Sequence, residues 1–435
     1  MHRSIDVQAD SPDKPRPSAR GIRKPWRAGV AGLVLLGTAG AMMGYGAPAH
    51  ASTPSARGGT LVSATLLQRL SAASVRAELA AARLGPGAPA LGGAEVRYGV
   101  DAYRVTYRTT NATGRPVVAS GLVALPAAGP ASLPVVSYTH GTTATKADVP
   151  SSFGLGKDHA VEGRWSAELF ASAGFTVTEP DYVGMGSGTG PIEYLVAKSE
   201  VSATTDLLTA ARTLAASRHD TLRRGVLVTG FSQGGSAAMA LGHSLQGSPG
   251  YFGLRALAPV SGPYDLAGAE LPGLFNGQVS EAVAPYYIGY TLTSWNKLYH
   301  LYATPAEAFK EPYAATVTKL FDGNYPDDEI PAALPSSLSD LLTPRFLNLL
   351  RHPTGELLRA SHLNSTCTGW TPRVPVRLFA ARGDTTVTQV NALHCAQDIR
   401  SAGGEVRVVQ LGAVDHSTSD ILALPRILRW FLRIG

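Results

Sequence analysis

The fold is decided by residues 226–240, whose sequence is VLVTGFSQGGSAAMA. The apolar, β-branched start of this stretch predicts a buried strand, and its run of small residues predicts a helix. Between them, Ser232 lies two positions from Gly230 and from Gly234, a pattern typical of the sharp turn that exposes a nucleophile at the end of a sheet. The alternative is a serine at an ordinary strand-to-helix turn, and the flanking pattern favours the nucleophile.

Alternating strands and helices surround this stretch. Strands are predicted at 102–109, 116–125, 134–138, 175–179, 225–231, 257–261, 374–380 and 406–411, and helices at 194–217, 234–245, 387–402 and 417–432. Strands that alternate with helices of this length form a mostly parallel sheet with helices on both faces. The sequence therefore predicts an α/β fold.

The same pattern divides the chain into four parts. They are an export signal at 1–51, an N-terminal helical segment at 52–95, an α/β core at 96–262 and 371–435, and a helical insertion at 263–370. In the second part, leucine and valine recur at roughly helical spacing and predict a helix over 61–79 that ends at the Gly-Pro-Gly turn at 85–87. The insertion contains amphipathic stretches such as 338–350 and no clear strand, so we expect a helical cap.

The N-terminus has the three parts of an export signal. A basic region ends at Arg27, an apolar run follows to about residue 43, and Ala49-His50-Ala51 precedes Ser52. The apolar run is broken by glycines and is shorter than the roughly 20 residues that span a bilayer, which disfavours a stable membrane anchor. We expect cleavage near Ala51 and secretion, by either the general or the twin-arginine route.

Charge and motifs exclude several function classes. Of the 435 residues, 44% are hydrophobic and 16% are charged, which favours a folded globular protein. Seven basic side chains precede Ser52, and the rest of the chain holds 31 basic and 29 acidic ones, too balanced for a nucleic-acid surface. The glycine-rich stretch 184–190 does not fit a dinucleotide-binding fingerprint, and no metal or nucleotide motif occurs. We expect no cofactor and no metal.

A serine hydroxyl needs a base, and in this type of fold the chain order is serine, acid, histidine. Asp384 follows the strand predicted at 374–380, and His416 follows the strand predicted at 406–411. Asp415 is the rival acid, but adjacent loop residues seldom orient each other's side chains. We therefore predict that Asp384 is the acid and His416 the base.

Ester or amide chemistry at a serine also needs two N–H donors for the negative oxygen that develops. The amide of Gln233 is one candidate, because it follows the serine. The loop at 138–143 supplies the second, with Thr143 preferred over Thr142, while His140 in this loop is more simply a packing residue.

Cys367 and Cys395 are the only cysteines of the chain. Because an exported protein meets oxidising conditions, we expect them to form a disulfide, the alternative being two buried thiols.

Several motifs resemble those of the secretory lipase family of the α/β-hydrolase superfamily, which contains secreted bacterial and fungal lipases and esterases. The matching stretches are YRT at 107–109, ASG at 119–121, SYTHGT at 137–142, DYVGMG at 181–186 and GFSQGG at 230–235, with the loops that carry Asp384 and His416. The resemblance extends from about residue 95 to the end, and one departure is Thr388, where many such hydrolases have proline. It implies an α/β-hydrolase fold, Ser232, Asp384 and His416 as a catalytic triad, and a cap in the insertion.

Together, the residues and the resemblance predict a secreted carboxylic ester hydrolase that forms an acyl-serine intermediate on an ester or lipid substrate. A secreted serine peptidase or acyltransferase would use the same triad, and an inactive exported binding module is the alternative that is not an enzyme. The sequence leaves open the acyl-chain length, the alcohol moiety, lipase against small-ester esterase, and the oligomeric state.

Overall fold

A computed structural model describes residues 58–83, 90–93, 95–154 and 161–435 of the chain. These residues all fall within one unit, Pro54–Gly435. The export signal predicted at 1–51 and the turn predicted at 85–87 lie outside the described residues. In the described ranges, no helix combines the length and apolar character that a membrane span requires.

The described strands form one nine-stranded sheet in the order β1-β2-β3-β5-β4-β6-β7-β8-β9. The strands are β1 Leu61–Leu70, β2 Gly99–Thr110, β3 Pro116–Ala127, β4 Ser132–Thr139, β5 Thr176–Pro180, β6 Thr221–Phe231, β7 Gly253–Val260, β8 Val376–Ala380 and β9 Val406–Gln410. Antiparallel pairing joins β1 to β2, β2 to β3 and β3 to β5, and every neighbouring pair from β5 to β9 is parallel. The predicted mostly parallel α/β sheet is confirmed.

Helices cover both faces of this sheet. They are α1 Ala72–Ala81, α2 Val161–Ser172, α3 Ala197–Ser217, α4 Gln233–Gly247, α5 Leu271–Gly273, α6 Ala284–Tyr299, α7 Pro305–Ala308, α8 Tyr313–Leu320, α9 Ile330–Ala333, α10 Leu338–Leu341, α11 Pro344–Arg351, α12 Gly355–Asn364, α13 Val390–Ser401 and α14 His416–Ile434. Alternate residues of a strand point to opposite faces: in β6, Leu227 joins a cluster with α1, α2 and α14, whereas Val226 and Val228 join one with α3, α4 and α13.

The insertion, residues 263–370, lies between β7 and β8 and contains α5 to α12. Its aromatic and aliphatic side chains form a third cluster, which also includes Ala144 and Tyr194 from loops at the carboxyl ends of the strands. The insertion therefore packs over the edge of the sheet at which Ser232 was predicted. The amphipathic stretch predicted at 338–350 is divided into α10 and α11, because Thr343 caps α11 and Pro344 starts it.

The helix predicted over 61–79 is wrong in its first half. Residues Leu61–Leu70 form strand β1, which among the described strands pairs with β2 alone and lies at the edge of the sheet. Two irregularities in the pairing, at Leu61/Ser63 and Leu66/Gln68, interrupt the two-residue alternation that would have marked a strand. The helix starts only at Ala72, where the Ser71 side chain accepts a hydrogen bond from the Ser74 N–H.

Candidate active site

Ser232 occupies the turn between β6 and α4 with φ 57° and ψ −121°, a conformation unfavourable for a residue with a side chain. The neighbouring glycines make this turn possible. A Cβ on Gly230 would lie 2.1 Å from Thr139 Oγ1, and a Cβ on Gly234 would lie 1.8 Å from Thr139 O. The turn therefore holds the serine at the carboxyl end of β6, at the start of a helix whose N–H groups carry partial positive charge.

The three side chains predicted to react lie together, although they come from the ends of β6, β8 and β9. His416 Nε2 is 2.8 Å from Ser232 Oγ, and His416 Nδ1 is 2.7 Å from Asp384 Oδ2. All three residues are buried, with exposed fractions of 4% for Ser232, 6% for Asp384 and 8% for His416. The arrangement can pass the serine proton to the imidazole and hold the imidazole from its other nitrogen.

The two carboxylates that competed for the role of the acid have different partners. Asp384 Oδ1 accepts hydrogen bonds of 2.9 Å from the N–H groups of Thr386 and Val387, which leaves Oδ2 for His416. Asp415 is the N-cap of α14 and accepts from the N–H and the hydroxyl of Thr418. The N–H of Thr418 holds the pKa of Asp415 below its ordinary value. The geometry therefore pairs the histidine with Asp384.

The proposed oxyanion donors lie around two neighbouring cavities. Gln233 and Thr142 line the larger cavity together with Ser232. Thr143 lines the smaller one, which Gln233 also lines and Ser232 does not, and the Thr143 carbonyl accepts from Tyr290 Oη at 3.2 Å. Among the described residues, the main-chain N–H groups of Gln233, Thr142 and Thr143 have no hydrogen-bond acceptor. All three amides are free to donate, and the shared cavity favours Thr142 over Thr143.

Two glutamates that no sequence pattern marked hold this region: Glu200 is buried, and Glu162 is partly buried. Glu200 Oε1 accepts from Gln233 Nε2 at 2.8 Å, and Glu162 Oε1 accepts from the N–H of Gly141 at 2.9 Å and from Tyr138 Oη at 2.6 Å. Burial raises the pKa of each glutamate to about 7. No local motif marks them, because each reaches the site from a helix distant in sequence.

His140 has the packing role that the sequence analysis preferred. Its ring lies 4.5 Å from that of Tyr182, and burial lowers its pKa to about 4. A histidine that stays neutral across the physiological range shapes the loop without adding charge.

A cavity lies beside Ser232, and its empty space together with the open solvent at its mouth amounts to about 760 Å³. Most of its lining is apolar and comes from the insertion, including Leu271, Leu274, Val279, Ile288, Leu292 and Trp295. Of the aromatic and aliphatic residues of the insertion that could contact substrate, Tyr287 and Leu350 also reach the cavity, whereas Tyr299 and Phe346 are packed inside the insertion. The lining is suited to a hydrocarbon chain.

The predicted disulfide between Cys367 and Cys395 is present and joins the end of the insertion to α13. Within the described ranges, no group of three histidine, cysteine or carboxylate side chains is arranged to hold a metal ion.

No family model matches the chain, and no curated protein matches it either. Several solved structures, however, superpose on this chain. A putative hydrolase from Legionella pneumophila superposes with a TM-score of 0.77 at 24% identity, covering 86% of this chain and 98% of that one. A ligand-bound form of the rice cell wall degrading esterase LipA from Xanthomonas oryzae gives 0.75 at 25% identity, covering 87% of this chain and 98% of that one. Candida antarctica lipase A gives 0.61 at 13% identity, covering 83% of this chain and 78% of that one, and its likeness concerns the fold.

Proposed function

We propose that this chain belongs to the lipases and esterases among the α/β-hydrolases, whose fold it shares, and that it is a secreted carboxylic ester hydrolase that works through an acyl-serine intermediate. The observation that carries the proposal is the hydrogen-bonded series Ser232, His416 and Asp384 at the edge of an apolar cavity. A nucleophile and its base beside a space for a hydrocarbon chain suit an acyl ester as substrate.

The reaction follows from the positions of these atoms. Ser232 Oγ attacks the ester carbonyl carbon while His416 Nε2 takes the hydroxyl proton, and Asp384 stabilises the imidazolium. The negative oxygen is held by the amides of Gln233 and Thr142, each worth roughly 3–4 kcal/mol of the barrier. His416 then protonates the leaving alcohol, and the same histidine activates the water that releases the acid.

Secretion is supported by two independent features. The first is the tripartite signal that the sequence places at 1–51. The second is the disulfide between Cys367 and Cys395, which is of a kind that persists in oxidising compartments and is rare in the cytosol.

The decisive experiment uses a fluorophosphonate probe and a set of p-nitrophenyl esters, with a peptide anilide as the control for peptidase activity. The wild-type protein should be labelled and should hydrolyse the esters. Ser232→Ala should abolish labelling and lower kcat by about 10⁶, the scale seen when the nucleophile of a triad is removed. A folded Ser232→Ala protein that keeps a tenth of the activity, or a wild-type protein that is never labelled, would overturn the proposal.

A further inference from the structure

The cavity beside Ser232 contains one acidic side chain that the mechanism does not use. Glu270 ends a π-helical turn, Leu266–Glu270, at the start of the insertion, and it lines the cavity together with Ser232. Among the described residues of this lining, Glu270 alone carries a carboxyl or a basic group. A group of this kind inside an apolar cavity needs a polar partner.

The orientation of this carboxyl is fixed from one side only. Asn391 Nδ2 donates to Glu270 Oε2 at 2.6 Å, and Asn391 is itself held, since its Oδ1 accepts from the N–H of Asp265 at 3.1 Å. Within the described part of the chain, the hydrogen bond from Asn391 to Oε2 is the one that this carboxyl makes, and the residue is only partly buried. One oxygen is therefore anchored, and the other remains available to a molecule in the cavity.

Glu270 is largely uncharged at neutral pH. Burial raises its pKa to about 8; the hydrogen bond from Asn391 opposes this rise, and the negative charge of nearby Asp384 adds to it. A protonated carboxyl can donate one hydrogen bond and accept another, which matches the capacity of an alcohol.

The chemistry of possible occupants can be ranked from these facts. An alkyl chain that covers Glu270 removes water from the carboxyl without replacing its hydrogen bonds, at a cost of about 1–3 kcal/mol. A carboxylate in the same place is repelled by Asp384, and an ammonium group must leave water for an apolar lining. A hydroxyl satisfies the carboxyl at the lowest cost of desolvation.

Resting on the proposed ester hydrolysis, we propose that Glu270 is a specificity residue that selects esters bearing a hydroxyl group on the part of the substrate that enters this cavity. The hydroxyl can belong to the acyl chain or to the alcohol, and the two sources share the same chemistry at Glu270.

The test compares kcat/KM for ethyl esters of alkanoic acids whose far end carries a methyl, hydroxyl, ammonium or carboxylate group, over a series of chain lengths. A second arm uses alkanoate esters of alcohols with the same four ends. At one length the wild-type protein should prefer the hydroxyl ester over its methyl counterpart by about tenfold, which corresponds to about 1.4 kcal/mol. The arm in which the preference occurs identifies the source of the hydroxyl.

Two substitutions at Glu270 and one control substitution assign this preference to Glu270. Glu270→Gln retains a donor and an acceptor and should keep most of the preference, whereas Glu270→Leu should abolish or reverse it. Thr291→Val, which removes a hydroxyl elsewhere in the same cavity, should leave the preference in place.

The inference is overturned if the wild-type protein hydrolyses the methyl esters but prefers the hydroxyl at no length in either arm, or if it favours the ammonium ester. It is equally overturned if Glu270→Leu keeps the preference. A wild-type protein that hydrolyses none of these esters and is not labelled by the fluorophosphonate would refute the proposed function itself. If Glu270→Leu does not fold, the wild-type ratios and those of Glu270→Gln still decide.

Discussion

Replacing Asp384 by asparagine is the sharpest test of the hydrogen-bond arrangement around His416. Asp384 Oδ1 accepts two main-chain N–H groups, from Thr386 and Val387, and Oδ2 faces His416 Nδ1 at 2.7 Å. In Asp384→Asn the amide oxygen must stay where Oδ1 was, because the opposite orientation would leave two N–H donors unsatisfied, each at about 1–3 kcal/mol. The amide NH₂ group then faces the imidazole.

This orientation reverses the tautomer of the histidine. Nδ1 has to accept from the amide, so the ring proton moves to Nε2, which faces Ser232 Oγ at 2.8 Å. A protonated Nε2 cannot take the serine proton, and we expect kcat to fall by about 10⁴, the scale known for this substitution in other triads. This loss corresponds to an increase of about 5.4 kcal/mol in the activation free energy.

The matched control is Asp415→Asn, which makes the same chemical change next to the histidine. Asp415 caps α14 by accepting from Thr418, and asparagine is an equally good N-cap. The control should therefore retain near wild-type activity. The assay is p-nitrophenyl ester hydrolysis at saturating substrate, with circular dichroism to verify folding. The reasoning is refuted if folded Asp384→Asn keeps a tenth of the wild-type kcat, or if the control loses more activity than Asp384→Asn does.

Three further outcomes are expected. Burial raises the pKa of Glu200 in the folded protein to about 7, so the wild-type protein loses stability as pH rises from the pKa of the unfolded chain through about 7. Glu200→Gln does not titrate, and its free energy of unfolding relative to wild type should therefore increase by about 3 kcal/mol between about pH 4.5 and pH 8 in denaturant titrations. A difference that stays constant with pH would contradict this. Gly234→Ala would place a Cβ 1.8 Å from Thr139 O, so thermal melting should show that the free energy of unfolding falls by about 4 kcal/mol or more. A melting temperature equal to that of the wild type would exclude the tight turn. The disulfide joins Cys367 to Cys395, 28 residues apart, so reducing it should lower the free energy of unfolding by about 3.5 kcal/mol. Denatured protein should contain no free thiol, and two titratable thiols without reductant would disprove the bond.

The predictable part of the fold and site rests on local signals. The turn at Ser232 could be predicted because strand, glycines and helix are contiguous in sequence. Asp384 and His416 could be placed because each follows a clear apolar strand, and the carboxyl ends of parallel strands meet at one edge of a sheet.

The remaining part depends on tertiary contacts. Glu162, Glu200 and Glu270 come from helical segments without a motif, and their importance lies in burial and partners that no spacing reveals. The strand β1 was misread because a partly exposed edge strand carries little hydrophobic alternation. The choice between Thr142 and Thr143 as the second oxyanion donor stays a prediction, because the two successive loop residues line different cavities and no sequence pattern shows which amide faces Ser232.

Because His416 lies on α14, ester hydrolysis reports whether this last helix of the chain has docked on the sheet. His416 is the first residue of α14, and the buried side chains Ile427 and Phe431 tie that helix to the sheet. A molecule in which α14 has not docked lacks the proposed base, even where β6 and β8 have assembled. During refolding from denaturant, the return of ester hydrolysis should therefore count only the molecules in which α14 has docked, and it should not precede the return of sheet structure.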